Sequence, residues 1–220
     1  MGSENLRLPG TIGCIDTQGL RATLISTVGN HCDVWRVTRR RVRDGEVSEI
    51  DFVIKRPTLE LSYPEIRLLL RDWRMLRTQL GDMVPQAVFI ATEVDGVPNM
   101  VVVAEAVQRW FNIANPVFAD DVMPLLARDP KARVQLAQFI SVAYSWYDEG
   151  RGRLIDLYGL DNLVLDVNRN IRYIDSFNVF FYPDMLDYED DAQLREKIDV
   201  SLKRLHYLSD VLHESTPSSH

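Results

Sequence analysis

The stretch LIDLYGLDNLVLDVNRNIRYIDSF, Leu154–Phe177, sets two short β-prone runs around a polar turn and places acidic or amide residues at their outer ends. Leu163–Leu165 and Ile171–Ile174 are the runs. Between them lies Asp166-Val167-Asn168-Arg169-Asn170, whose asparagines tolerate the left-handed backbone that a hairpin turn requires. A turn centred on Asn168-Arg169 sets Leu163 opposite Ile174 and Asn162 opposite Asp175, with Cβ atoms about 5 Å apart. An amide oxygen and a carboxylate meeting at a strand mouth suit a hard divalent cation, Mg²⁺ in particular, whose shell a phosphate completes. The same two residues also suit plain strand-end caps, so other segments must decide.

At 220 residues the chain is long enough to bury a core as one domain or two small lobes. Hydrophobic residues make up 46% and charged residues 26%, which is ordinary globular usage. The formal charge of −7 argues against a nucleic-acid partner, because a phosphate backbone requires a positive field. The one basic cluster, Arg39-Arg40-Arg41 with Arg43, reads as a solvated strand and turn, with a phosphate or lipid patch as the lesser alternative. Cys14 and Cys32 are too few for a disulfide framework, and His31, His206, His213 and His220 lack metal-ligand spacing. No apolar run nears the ~18 residues of a membrane span, and no signal-like segment opens the sequence. A soluble, cytoplasmic protein without a transmembrane segment is expected.

Along the chain the pattern changes class near the middle. Leu20–Thr27, Asp33–Val42 and Glu49–Arg56 read as strands, with Asp44-Gly45 marking a hairpin. Tyr63–Leu80 has largely helical apolar spacing and Pro64 in its first turn. Val84–Thr92 and Asn99–Ala104 read as two further strands joined at Asp95-Gly96. After Glu105 helices dominate: a short one at Asp120–Arg128, a longer one at Lys131–Glu149 and a last one from about Asp190 to His213.

Three strands, a helix, two strands and then a helical half is an order that resembles the protein-kinase-like fold. Phe52-Val53-Ile54-Lys55 is similar to the V-A-I-K strand of that family, and Ile174-Asp175-Ser176-Phe177 resembles its D-F-G segment. The resemblance implies an α+β, two-lobed architecture. Residues 1–104 would form an N-lobe of five antiparallel strands and one helix, residues 105–214 a reduced, mostly helical C-lobe, and residues 215–220 a disordered tail. It further implies ATP and Mg²⁺ as cofactors. Lys55 would hold the nucleotide phosphates, with Asp72 or Glu65, two helical turns apart on one face, orienting it. Gly29 is the single glycine left where the family has its glycine-rich loop, and the backbone from Glu105 to Val107 would meet the adenine. Asn162 and Asp175 would hold Mg²⁺.

The catalytic loop departs from the family pattern. H-R-D-x-x-x-x-N has four residues between Asp and Asn, whereas five separate Asp156 from Asn162, and Leu154-Ile155 replaces His-Arg. Gly159 can bulge an extra residue out of the loop, leaving Asp156 as the base, with Asp161 as the alternative base or metal ligand. About 45 residues follow Asp175, too few for the peptide platform of a protein kinase. The implied activity is phosphotransfer to a hydroxyl-bearing small molecule or sugar. The alternative is a pseudokinase that binds nucleotide or a protein partner without transferring phosphate. Phe180-Phe181-Tyr182-Pro183 would either line the acceptor pocket or, more in keeping with its composition, pack against the last helix.

Overall fold

The computed structural model describes residue 12 and residues 22–26, 32–148 and 152–215, with the side chains of residues 25, 26 and 41–43 outside that description. Gly29, Cys14, His31, Glu149, His220 and positions 216–220 of the expected tail therefore lie outside the described residues. The fold is α+β, with a five-stranded antiparallel sheet and four α-helices among the described residues. The chain divides into two compact units, residues 1–71 with 85–106, and residues 72–84 with 107–220.

The first unit is built on the sheet β1 (Ala22–Ser26), β2 (Cys32–Arg43), β3 (Glu46–Pro57), β4 (Ala87–Val94) and β5 (Val97–Glu105), in spatial order β1-β2-β3-β5-β4. All five expected strands are present. Both hairpins close on Asp-Gly pairs with φ of 54° and 84° at Asp44-Gly45 and of 52° and 82° at Asp95-Gly96. Two successive positive-φ residues make a turn whose twist matches that of the flanking strands, which is why Asp-Gly suits it. Alternation along β2 buries Trp35 and Val37, which pack with Ile12, Ile54, Val94 and Val101. Asp33 and Arg56 are directly opposed on β2 and β3, and their side chains pair at 2.7 Å. The Arg56 guanidinium lies 5.7 Å from the centre of the Trp35 ring, so a cation and an indole share the end of this sheet. Helix α1 (Tyr63–Leu80) starts in this unit on a reciprocal cap, in which Ser62 donates to Glu65 and accepts from the Glu65 N–H.

The second unit collects the remaining helices, α2 (Ala119–Arg128), α3 (Pro130–Asp148) and α4 (Ala192–Glu214), with the second half of α1. Leu136, Phe139, Ile140 and Ala143 of α3 and Ile198, Leu205 and Leu208 of α4 bury one face each in a common core with Leu76 and Leu80 of α1. Asp191 caps α4 by accepting the N–H groups of Gln193 and Leu194. Three short strands escaped the sequence reading. They are β6 (Arg109–Asn112), β7 (Leu154–Ile155) and β10 (Phe180–Phe181), too brief to show a period. β6 joins the hairpin strands β8 (Leu163–Asp166) and β9 (Ile171–Tyr173) in a three-stranded sheet, and β10 returns antiparallel to β7.

The hairpin forms, but its register differs from the expected one by a residue. Leu163 faces Tyr173 and Leu165 faces Ile171, and the Ile174 N–H donates to the Asn162 carbonyl at 2.9 Å, so Asn162 stands opposite Ile174 and not Asp175. The cause is the turn. Its loop has three residues, Val167 to Arg169, with Arg169 left-handed at φ 60° and the Asp166 N–H bonded to Asn170 O at 2.9 Å. That is a type I turn followed by a left-handed residue, not the two-residue turn centred on Asn168-Arg169. The buried Asp166 carboxylate fixes it, because one oxygen accepts the N–H groups of Asn168 (2.8 Å) and Asn170 (2.9 Å). Asp166→Ala strands both donors and is expected to lower stability by about 1–3 kcal/mol in urea denaturation. A change within a few tenths of that scale would show that the turn closes without the carboxylate.

Candidate functional site

Asp156 follows directly on β7, and Asp175 comes two residues after β9. Between them the chain turns back through Gly159 and Asn162. The Asn162 N–H donates to Gly159 O at 3.2 Å, and its side-chain amide donates to Asp156 O at 3.1 Å. Gly159 is required here by close approach: a Cβ at that position would lie 2.4 Å from Asn162 Oδ1. The Asn162 side-chain amide thus crosses over the bare Cα of Gly159.

The backbone from Asp156 to Tyr158 is held at every polar group. The Asp156 N–H extends the β7–β10 ladder onto Val179 O at 2.9 Å, and Asp156 O also accepts the Tyr173 hydroxyl at 3.0 Å. The Leu157 N–H donates to Ser201 Oγ at 3.1 Å, and the Tyr158 N–H donates to Asp156 Oδ1 at 2.7 Å. Arg204 donates to both remaining carbonyls, those of Leu157 and Tyr158, at 2.5 Å each. Buried Tyr173 stacks on Phe139 of α3, which fixes the ring carrying its hydroxyl.

The electrostatics set Asp156 apart. Burial pushes its carboxyl up to about 7, and the charge of Asp175 adds to the effect; the Tyr158 and Gly159 N–H groups and the Lys197 charge oppose it. Tyr173 is raised by its burial and by the same two carboxylates. Burial lowers the Arg204 guanidinium, and the charge of Asp156 works against that. Asp175 itself turns the chain, with Oδ1 accepting the N–H groups of Ser176 at 2.7 Å and Phe177 at 3.4 Å.

The other expected site residues fall in varied places. Asp161 is tied to β6 by Arg109 at 2.7 Å and by the Asn112 amide at 3.3 Å, which pins the loop. Asp72, in the second unit, is buried and accepts the Tyr182 hydroxyl at 2.9 Å. Glu65 is exposed and belongs to the α1 cap, its carboxyl lowered first by the Ser62 hydroxyl and then by the Ser62 N–H. Lys55 is buried on β3, opposite Val34 and Val102. Glu105 ends β5 with its N–H on Gln86 O at 2.9 Å, and half-buried Val107 opens the second unit. Phe180 is buried against Trp146, ring centres 4.9 Å apart, so that aromatic run packs inside the second unit, here on α3. Tyr173, Lys197, Ser201 and Arg204 were missed. The signal for three of them is spacing, since positions 197, 201 and 204 share one face of a helix.

Among the described residues no three His, Cys, Asp or Glu side chains cluster to hold a metal. Asn162 and Asp175 both offer oxygen donors that suit Mg²⁺, which commonly takes one or two protein ligands and draws the rest of its shell from water and phosphate. No family model matches the chain. A search of curated proteins finds no match either. The kinase-like resemblance therefore rests on the sequence motifs alone.

In an unfolded chain the Asp156 carboxyl would titrate near 3.8, well below its folded value. A raised folded pKa contributes stability that is complete below pH 4 and is lost as pH rises through 7. Asp156→Asn keeps the shape and removes the titration. Between pH 5 and pH 9 the wild type should lose roughly 2–4 kcal/mol relative to this variant in chemical denaturation. Parallel stability curves would mean that Asp156 ionises as an ordinary surface carboxylate.

Proposed function

We propose that the chain is an ATP- and Mg²⁺-dependent phosphotransferase of the two-lobed, protein-kinase-like fold, acting on a hydroxyl of a small molecule or sugar. The observation that carries this reading is Asp156, a half-buried carboxyl poised near neutrality beside Asp175, on a segment whose backbone is hydrogen-bonded from the Asp156 N–H to the Tyr158 carbonyl. A general base works best when its pKa lies near the working pH. Rigid placement of that base is worth as much as its basicity, because phosphoryl transfer depends on alignment and charge neutralisation.

In this mechanism Asp156 orients the acceptor hydroxyl and takes its proton, and the neighbouring Asp175 charge favours the protonated form that results. Asn162 and Asp175 would hold Mg²⁺, which supplies charge neutralisation for the phosphates when bound. Asn162 also fixes Asp156 through its amide, so one residue would couple metal holding to base placement. Lys55 is assigned the nucleotide phosphates, and the strand end at Glu105–Val107 the adenine, by resemblance. Asp161 has a loop-pinning role that leaves Asp156 as the better base.

Purified protein incubated with ATP, Mg²⁺ and a panel of sugars and small alcohols tests the reading directly. Asp156→Ala is expected to lower phosphate transfer by about 10²–10⁴-fold. Asp175→Asn should abolish the Mg²⁺-dependent part of ATP binding, measured by calorimetry, with the circular dichroism spectrum unchanged. Thermal stabilisation by ATP·Mg²⁺ without any transfer would replace the enzyme reading with the nucleotide-binding alternative, and no stabilisation would remove both. Lys55→Met is a separate probe of the first unit. It keeps the stem's bulk and deletes the charge, so weakened ATP binding at a near-constant melting temperature is the expected result. A large fall in melting temperature with unaltered binding would assign Lys55 to structure alone.

A further inference from the structure

The α4 helix does more at this site than pack. Its core-facing side is apolar at Ile198, Leu205 and Leu208, yet Ser201 sits on that same side with no exposed surface. A buried hydroxyl is costly unless it is hydrogen-bonded, and so is a buried backbone N–H. Each meets the other's need: Ser201 Oγ accepts the N–H of Leu157, itself fully buried. One turn further along, Arg204 spends a single Nη1 on the carbonyls of two successive residues, Leu157 and Tyr158, at 2.5 Å. Past Asp156 the chain has left the β7 ladder, so these three backbone groups have no strand partner. A side chain from a different element meets each of them.

We infer that Ser201 and Arg204 are positioning residues for Asp156, acting through the backbone of Leu157 and Tyr158. Neither is assigned to substrate or nucleotide. The loop carrying Asp156 is fixed on one side by Asn162 and Tyr173, which both bond the Asp156 carbonyl, and on the other by α4. Release of the α4 side lets the carboxylate swing about its tether, and misplacement of a reacting group by about 1 Å can cost on the order of 10²-fold in rate. The catalytic meaning of this clamp rests on the phosphotransfer reading, whereas the clamp itself does not.

The test uses the full chain with Ser201→Ala, Arg204→Met and Arg204→Lys, read in two ways. Amide hydrogen exchange followed by NMR should show Leu157 exchanging at least about 10-fold faster in Ser201→Ala, and Tyr158 and Asn162 faster in Arg204→Met. Leu165 in the hairpin should be unchanged, and Arg204→Lys should recover part of the protection. Steady-state phosphate transfer should show kcat falling about 10-fold or more in Arg204→Met with KM for ATP within about 2-fold, and a partial return in Arg204→Lys. Unchanged exchange at Leu157, Tyr158 and Asn162 overturns the proposal, as does a uniform rise in exchange across the chain, since the two residues would then be general stabilisers. Faster loop exchange with wild-type kcat also overturns it. If the wild type transfers no phosphate, the phosphotransfer reading fails on its own, and loop-restricted exchange still supports the clamp as what places Asp156.

Discussion

The arrangement around Asp156 depends on a single requirement, that a segment leaving a two-residue strand find hydrogen-bond partners for its backbone. From the Asp156 N–H to the Tyr158 carbonyl each polar group is met, by Val179 O, Asn162, Tyr173, Ser201, Arg204 and the Asp156 carboxylate itself. Irregular backbone in a protein interior is tolerated only under such complete accounting. The side chains that provide it come from the 159–162 loop, from β9 and from α4, and this is how distant parts of the second unit converge on one carboxylate.

The same packing produces the chemistry. A buried carboxyl loses much of its hydration, and a second carboxylate nearby makes its charged form less favourable still. Nothing else in the loop would raise it so far, because the two backbone N–H groups and Lys197 act in the opposite direction. Burial and proximity thus create a group that exchanges protons near neutrality, while Asp161, exposed and ion-paired to Arg109, is bound into the loop's scaffolding.

Much of the first unit was readable from local chemistry. Asp-Gly pairs announce their turns because only residues that accept positive φ can close them, and Tyr63–Leu80 shows its length through apolar spacing and Pro64 in its first turn. Asp156, Asn162 and Asp175 were also visible, as acidic and amide residues flanking β-prone runs. Their relative placement was not, because the register follows from whether Arg169 takes a left-handed conformation, a choice stabilised by the Asp166 side chain. Ser201 and Arg204 were hidden for a different reason. A serine and an arginine on an amphipathic helix look like surface residues until the loop they serve is folded against them.

The second unit takes in residues 72–84, but the chain then leaves for β4 and β5 before returning at Val107. Leu76, Leu80, Met83 and Val84 are buried in the same core as Leu205, Leu208 and Val211, and Asp72 meets Tyr182 across 110 positions. On a ribosome, where the N-terminal part emerges first, these residues must wait with their apolar face uncovered until α3 and α4 have been made. The interruption gives this part of the fold a high contact order, so its assembly is slow compared with the hairpins that precede it. Nascent chains would therefore carry an unsatisfied half of α1 for most of synthesis, and that is the surface a chaperone would be expected to recognise.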